Sequence, residues 1–303
     1  MNMGMQLKSF AKINRGLTVH GRLENGYHLL STVFQTISLH DTLEFQKASG
    51  LSLECSDPRV PQDETNLVLK SAIALRERFK TSAGARIILQ KNIPSPGGLG
   101  GGSSNAAIAL FGLARLWSID VGFLELVELA KQVGADVPFF LYGGTAVGCG
   151  RGDEILPLTD FPGGNLLVLT PNFGISTAEA FEALHRPTLT SSQVESNLRV
   201  CRSARENLNR DGQAVNDFEK WAFGRHRELA EMAGSLVRFG ATSVNLSGSG
   251  PSIFAIFEKE ETRQATIEAL SNSNWRMFAV ATVTRSEYRA ELAECEGLFP
   301  ISF

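Results

Sequence analysis

The sequence predicts a two-domain α+β protein, and three observations carry that expectation. The chain has 303 residues, more than one domain of roughly 100–200 residues needs. Apolar residues make up 43% and charged residues 20%, which supplies a sizeable core and excludes wholesale disorder. The first half opens on strand-like segments, whereas the second reads strand, helices, strand, strand, helix, strand, close to a split βαβ sandwich. The boundary falls near Asp160–Gly164, so the expected domains are 1–160 and 161–303.

Each element has a local reason. Lys8–Val19 is extended and apolar-rich, and Thr32–Leu39 is dense in β-branched and aromatic residues. Leu43–Phe45, Leu51–Cys55 and Arg86–Gln90 read likewise as strands. Asn66–Phe79 and the small-residue run Ser104–Trp117 predict helices, and Gly122–Val133 a third that stops at Gly134 as a C′ glycine. Beyond the boundary, Leu166–Thr170 is a short buried strand and Thr177–Leu184 a helix. The polar stretch His185–Arg205 predicts a loop or a loosely packed helix. Asp217–Phe239 reads as helical. Ser243–Leu246 and Ser252–Phe257 are strands joined by a Gly/Ser turn, then Thr262–Leu270 is a helix and Met277–Thr284 a strand.

Charge and cysteine content narrow the function classes. Lys+Arg 29 against Asp+Glu 32 gives a net charge of −3, so no basic field proposes nucleic acid or an anionic membrane as partner. A small-molecule enzyme and a protein-binding module both stay open. Cys55, Cys149, Cys201 and Cys295 are widely spaced and form no CxxC pair, which predicts reduced, packed thiols. The N-terminus MNMGMQLKSFAK lacks the apolar run of a signal peptide, and no stretch approaches the ~18 apolar residues of a membrane span. The expected location is the cytoplasm.

Glycine is the unusual entry in the composition, with 29 residues against a typical ~7%. Five fall among the six positions 97–102, inside PSPGGLGGGSSNAA. A loop this bare lets backbone N–H groups approach a ligand. The helix behind it, with Ser103, Ser104 and Asn105 as cap residues, offers an anion site. The loop lacks the Gly-Lys-Ser/Thr of a Walker A motif, and Ser103 stands where the third glycine of a dinucleotide fingerprint belongs. A phosphate is the expected guest, from a loop that supplies no lysine of its own. Leu246–Pro251 (LSGSGP) reads by itself as an ordinary hairpin turn. Lys12 and Asp136 are isolated charges in apolar company, and each alone reads as a snorkelling lysine and a turn cap. Beside a lysine-free phosphate loop they become candidates for the cation and the base of phosphoryl transfer.

Taken jointly, these segments resemble the GHMP kinase superfamily. The likeness spans nearly the whole chain: Ala11-Lys12-Ile13-Asn14, Gly26-Tyr27-His28, Val33-Phe34-Gln35-Thr36, the loop Pro94–Ala107, Gly134-Ala135-Asp136-Val137-Pro138, Gly143-Gly144-Thr145-Ala146, Asn216-Asp217-Phe218-Glu219 and Leu246–Pro251. The ordered set AKIN, GYH and GADVPFF is similar to one branch, which phosphorylates the 2-hydroxyl of a cytidine-diphosphate-linked methylerythritol in the non-mevalonate isoprenoid route. The resemblance implies a ribosomal-protein-S5-like N-terminal domain and a ferredoxin-like C-terminal domain. It implies Asp136 as general base, with Lys12 as the cation that positions the hydroxyl and offsets charge. Pro94, Ser95, Pro96, Gly97, Gly98, Leu99, Gly100, Gly101, Gly102, Ser103 and Ser104 would form the ATP phosphate loop. Pro96 stands where a glycine is common, which removes one N–H. Tyr27 and Phe181 would stack on the cytosine, His28 would bond its edge, and Asn14 and Thr177 would contact the diphosphate and sugar side. The resemblance also implies Mg²⁺ with the ATP, its ligands unassigned and Ser104 a candidate, and leaves monomer or homodimer open. Another GHMP-type small-molecule kinase and a non-catalytic nucleotide-binding relative remain as alternatives.

Overall fold

A computed structural model describes residues 4–161, 163–203 and 215–300, so 204–205 of the polar stretch lie outside it. The long strands β1 (Met5–Arg22) and β2 (His28–Ala48) pair antiparallel, with register shifts at Phe10/Ala11 and Asn14/Leu17. The runs at 32–39 and 43–45 thus belong to one strand, because His40 and Asp41 continue the pairing instead of turning. The far half of β2 pairs with β4 (Gly84–Gln90), itself parallel to β3 (Leu51–Cys55). Its near half pairs with β5 (Thr145–Cys149), which hairpins into β6 (Glu154–Pro157). That hairpin lies in the glycine-rich stretch that the sequence pattern left without elements.

Helices α1 (Leu67–Phe79), α2 (Gly101–Leu116), α3 (Phe123–Val133) and α4 (Phe139–Tyr142) cover one face of this sheet. Asn66 caps α1 by accepting the Val68 N–H. Helix α2 is apolar nearly all round and buried from Ser104 to Ala114, as suits a central helix. Helix α3 does end at Gly134, but with φ 179 the residue is extended, not left-handed. The chain therefore leaves α3 straight, turns, and drops Val137, Phe139 and Phe140 into the core.

The second sheet has the order β10-β7-β9-β8, every pair antiparallel, from β7 (Asn165–Thr170), β8 (Ser243–Leu246), β9 (Ile253–Phe257) and β10 (Arg276–Val280). This is the ferredoxin-like strand order. Helices α5 (Thr177–Ala183), α6 (Ser191–Ser203), α7 (Glu219–Arg225) and α8 (Arg227–Arg238) lie between β7 and β8, and α9 (Glu260–Ala269) precedes β10. The helical stretch 217–239 is divided at His226, which takes extended angles and stacks its ring on Phe173. The polar stretch holds α6, a real helix with one buried anchor, Cys201.

The apolar cores join the two sheets. Ala11, Ile13 and Leu99 from the first half pack with Leu166, Val168 and Phe254 from the second. Helix α10 (Arg285–Glu291) and a 3-10 turn (Ala293–Leu298) return to the first core, where Tyr288, Leu292 and Cys295 are buried. The thiol expectation needs correction: Cys149 of β5 and Cys201 of α6 form a disulfide. A small cluster around Val33, Val147 and Leu158 docks α6 on β5 and brings the two Cα atoms to 6.2 Å, within bonding reach. Their separation of 52 residues left no spacing signal. Cys55 and Cys295 are free. Among the described residues no helix is long and apolar enough to cross a membrane.

Candidate active site

Lys12 sits where β1 passes beneath the glycine loop. Its backbone N–H donates to the Leu99 carbonyl (3.0 Å), and its Nζ donates to Asn14 Oδ1 (2.5 Å) and the Gly98 carbonyl (3.0 Å). The third Nζ proton faces Asp136, whose Oδ2 is 3.6 Å away. Lys12 is only 3% exposed. Burial pushes its ammonium below the usual lysine range, and the Asp136 carboxylate offsets part of that shift. Asn14 is fixed in turn, donating to Thr32 Oγ1 at 2.8 Å.

Asp136 owes its place to its neighbours. Val137 and Phe139 are fully buried, and the Tyr288 hydroxyl donates to the Phe140 carbonyl (2.5 Å). Anchors on the following residues leave Asp136 at the cleft, its carboxylate partly open to solvent.

The glycine loop lies across from this pair. Gly98 and Gly100 have φ of 70 and 69. An added Cβ would come within 2.2 Å of the Ser247 carbonyl at Gly98 and 2.7 Å of the Phe140 ring at Gly100, so only glycine fits. Helix α2 starts directly after, with Gly100 as N-cap and no side-chain cap. The expected caps lie elsewhere. Ser103, Ser104 and Asn105 are inside the helix, Ser104 Oγ accepting from Ser9 Oγ at 2.7 Å. The first N–H groups of α2 therefore keep their affinity for an anion. Leu99 points its side chain into the core, so any ligand contact it makes is through backbone.

The turn 246–251 closes the loop from the other sheet. Ser247 Oγ donates to the Gly98 carbonyl (2.9 Å), and Thr177 and Ser249 share a hydrogen bond (3.1 Å). Behind the turn, Asn216 Nδ2 donates to the carbonyls of Leu246 and Gly248, both at 2.9 Å. Glu219 Oε1 accepts the Leu246 N–H (2.8 Å).

Two adjoining cavities result. One, about 320 Å³, is lined by Lys12, Asn14, Gly98, Gly100, Ser103, Asp136, Thr177, Phe181 and Ser249 among others. The second, about 840 Å³, is lined by Tyr27, His28, Thr177, Phe181, Arg22 and Arg151 among others. The expected residues Lys12, Asn14, Asp136, Gly98, Gly100, Ser103 and Thr177 are thus brought together, with Tyr27 and His28 next door and Phe181 on both walls. Pro94, Ser95, Pro96, Gly97, Gly101, Gly102 and Ser104 do not line either of these two cavities. In the second cavity His28 stacks on Phe181 with centroids 4.7 Å apart, while Tyr27 is 53% exposed.

The sequence and the fold have parallels among known proteins. Models of the GHMP kinases N terminal domain and of the GHMP kinases C terminal region match residues 66–144 and 197–276. A protein of Acetivibrio thermocellus named 4-diphosphocytidyl-2-C-methyl-D-erythritol kinase is 35% identical over 281 residues, 92% of this chain and 99% of its own. The chain belongs to the 4-diphosphocytidyl-2-C-methyl-D-erythritol kinase family of the GHMP kinases. A member of that family from Solibacter usitatus is 37% identical over 289 residues, 94% of this chain and 90% of its own. A crystal structure titled 4-(cytidine 5'-diphospho)-2C-methyl-D-erythritol kinase superposes with a TM-score of 0.74 at 33% identity, over 92% of this chain and 99% of that one. Homoserine kinase from Cytophaga hutchinsonii, with a TM-score of 0.66 at 19% identity, shares the fold.

One residue of this family member escaped the sequence reading. Arg151, in the β5–β6 turn, lines both cavities and, among the described residues, is the one charged side chain they share. Its guanidinium lies over the Tyr27 ring at 4.8 Å and pairs with Asp153 Oδ2 at 2.5 Å. The one available signal was an arginine inside GCGRGD, a stretch read only as glycine-rich.

Proposed function

We propose that this chain transfers the γ-phosphoryl group of ATP to the 2-hydroxyl of 4-diphosphocytidyl-2-C-methyl-D-erythritol, in the supply of isoprenoid precursors. The observation that carries the reading is the buried Lys12 ammonium, held between the glycine loop and Asp136 in the wall of one cavity.

The residues present fit a nucleotide's phosphates. Helix α2 presents uncapped N–H groups, and Gly98 and Gly100 leave room that a Cβ would fill. ATP supplies the electrophilic phosphorus. Asp136 takes the proton of the 2-hydroxyl as its oxygen forms the new O–P bond, while the bond from the γ-phosphorus to the β,γ-bridging oxygen breaks and ADP leaves with that electron pair. Lys12 donates to that oxygen and offsets the charge spreading over the transferred group. Asn14 holds Lys12 in register through its Oδ1.

Magnesium belongs in this scheme with the nucleotide, not with a protein cage. Among the described residues no three His, Cys, Asp or Glu side chains converge as metal ligands, and Asp136 is the one acid in the smaller cavity wall. Ser104, the earlier candidate, is buried and engaged with Ser9. Phosphate oxygens and water are then the natural ligands of Mg²⁺.

The larger cavity takes the cytidine. Tyr27 and Phe181 offer π-faces, and a base entering between them requires His28 to leave its stack on Phe181 and turn an edge to the ring. The diphosphate spans the junction of the cavities, beside Arg151 and Thr177. The chain acts in two lobes, 1–160 and 161–303, with the last helix crossing back to brace the Asp136 turn.

The test is turnover with Mg-ATP and this substrate, reading ADP release and the new phosphomonoester by phosphorus NMR. Product with this substrate supports the reading. Turnover of mevalonate or homoserine instead keeps a GHMP kinase and overturns the substrate.

A further inference from the structure

The mechanism above leaves one buried ion pair unused. Asp41, on β2, is fully buried, and its Oδ2 accepts from Lys91 Nζ at 2.6 Å and from Asn105 Nδ2 at 2.9 Å. Its Oδ1 accepts the backbone N–H groups of Asn92 (2.7 Å) and Ile93 (2.8 Å). One carboxylate therefore holds both ends of the glycine loop: 91–93 lead into it, and Asn105 belongs to the first turns of α2, out of it. Asn105 Nδ2 also donates to Ser9 Oγ (2.9 Å), which bonds Ser104 (2.7 Å). Lys91 packs beneath the start of the helix, since a Cβ at Gly101 would lie 3.0 Å from its Nζ.

A glycine-rich loop has many conformations, and a phosphate cradle works only when its N–H groups are already aimed. A buried charge survives when it is paired and hydrogen-bonded. Asp41 meets that condition by spending all its bonds on the loop's two ends and the lysine between strand and helix. We propose that Asp41 is a positioning residue for nucleotide binding, which fixes the span of the loop 94–102 and the direction of the α2 N-terminus. Lys91 neutralises Asp41 and does not itself serve the phosphates. The proposal rests on the reading of that loop as the ATP phosphate site.

The experiment measures KM for ATP and for the cytidine-linked substrate in wild-type, Asp41→Asn and Asn105→Ala protein, with thermal unfolding alongside. Asn105→Ala keeps the Asp41–Lys91 pair and removes the two bonds that tie the helix to Asp41 and to Ser9, so it serves if Asp41→Asn does not fold. Displacement of a positioned group by about 1 Å costs up to about a hundredfold. The expected rise in ATP KM is therefore about tenfold for Asp41→Asn and smaller for Asn105→Ala, with the substrate KM unmoved. A loss of thermal stability with unchanged ATP KM, or an equal rise of both KM values, would overturn the positioning role. So would a lower ATP KM in Asp41→Asn, because Lys91 would then be binding phosphate itself. Wild-type protein that neither binds nor turns over ATP would instead overturn the loop reading on which the proposal stands.

Discussion

At the phosphate end of the cleft, Lys12 and Asn14 are buried and every polar atom named has a bonded partner. At the base end, Tyr27 is mostly exposed, touches Arg151 with one face, and His28 leans on Phe181. The first region is built before any ligand arrives, as transition-state stabilisation requires. The second is an open aromatic slot, in which the proposed cytidine would gain its affinity from stacking. On the proposed function, the contrast predicts that the two ends govern different kinetic parameters: the buried end turnover, and the open end substrate affinity.

The largest expected effect breaks the buried end. Asp136→Asn should lower kcat by about 10²–10⁴-fold while ATP still raises the melting temperature as in wild type. Persistent turnover would remove Asp136 from the chemistry. Lys12→Met should lower kcat by about 10²–10³-fold, with the substrate KM little changed in steady-state assays. Because burial lowers the Lys12 ammonium from its ordinary 10.5, its proton is lost on the acid side of that value. The kcat profile should therefore fall before pH 10.5 is reached. Lys12→Arg, protonated throughout, should push that limb upward from a lower plateau.

Smaller effects probe the open end. Tyr27→Ala should raise the substrate KM about fivefold, the low end of stacking energies of ~1–3 kcal/mol, because the ring is half in water; kcat should hold. His28 is pushed below its ordinary 6.5, by burial first and the Arg22 charge second. It is neutral at pH 7, so KM should stay flat above pH 6.5 and rise only as the pH drops beneath it. His28→Gln should flatten that acid rise, measured as substrate KM from pH 5 to 8.

Much of the buried end was legible in the sequence, because glycine spacing and isolated charges are local signals. Gly97–Gly102 suggested a phosphate loop and Lys12 and Asp136 stood out against apolar neighbours, and the structure brings Gly98, Lys12 and Asp136 together in one wall. The start of α2 did not, since Gly101 and Gly102 are poor helix formers held helical by their surroundings. Long-range partners left no trace either: Asp41 reaches Lys91 across 50 residues, and Cys149 reaches Cys201 across 52. The hairpin of β5 and β6 was hidden by the glycines before β5, within it and in its turn, Gly143, Gly144, Gly148, Gly150 and Gly152. Arg151 became visible only when their hairpin turned it toward Tyr27.

The division of labour is tested most directly at Phe181, which faces both cavities. The measurement compares kcat/KM for the cytidine-linked substrate with that for 2-C-methyl-D-erythritol 4-phosphate, in wild type and in Phe181→Ala. The account predicts that Phe181→Ala loses about 10–100-fold on the cytidine-linked substrate, through KM alone, and nearly nothing on the small one. A parallel fall on both substrates, carried by kcat, would contradict it.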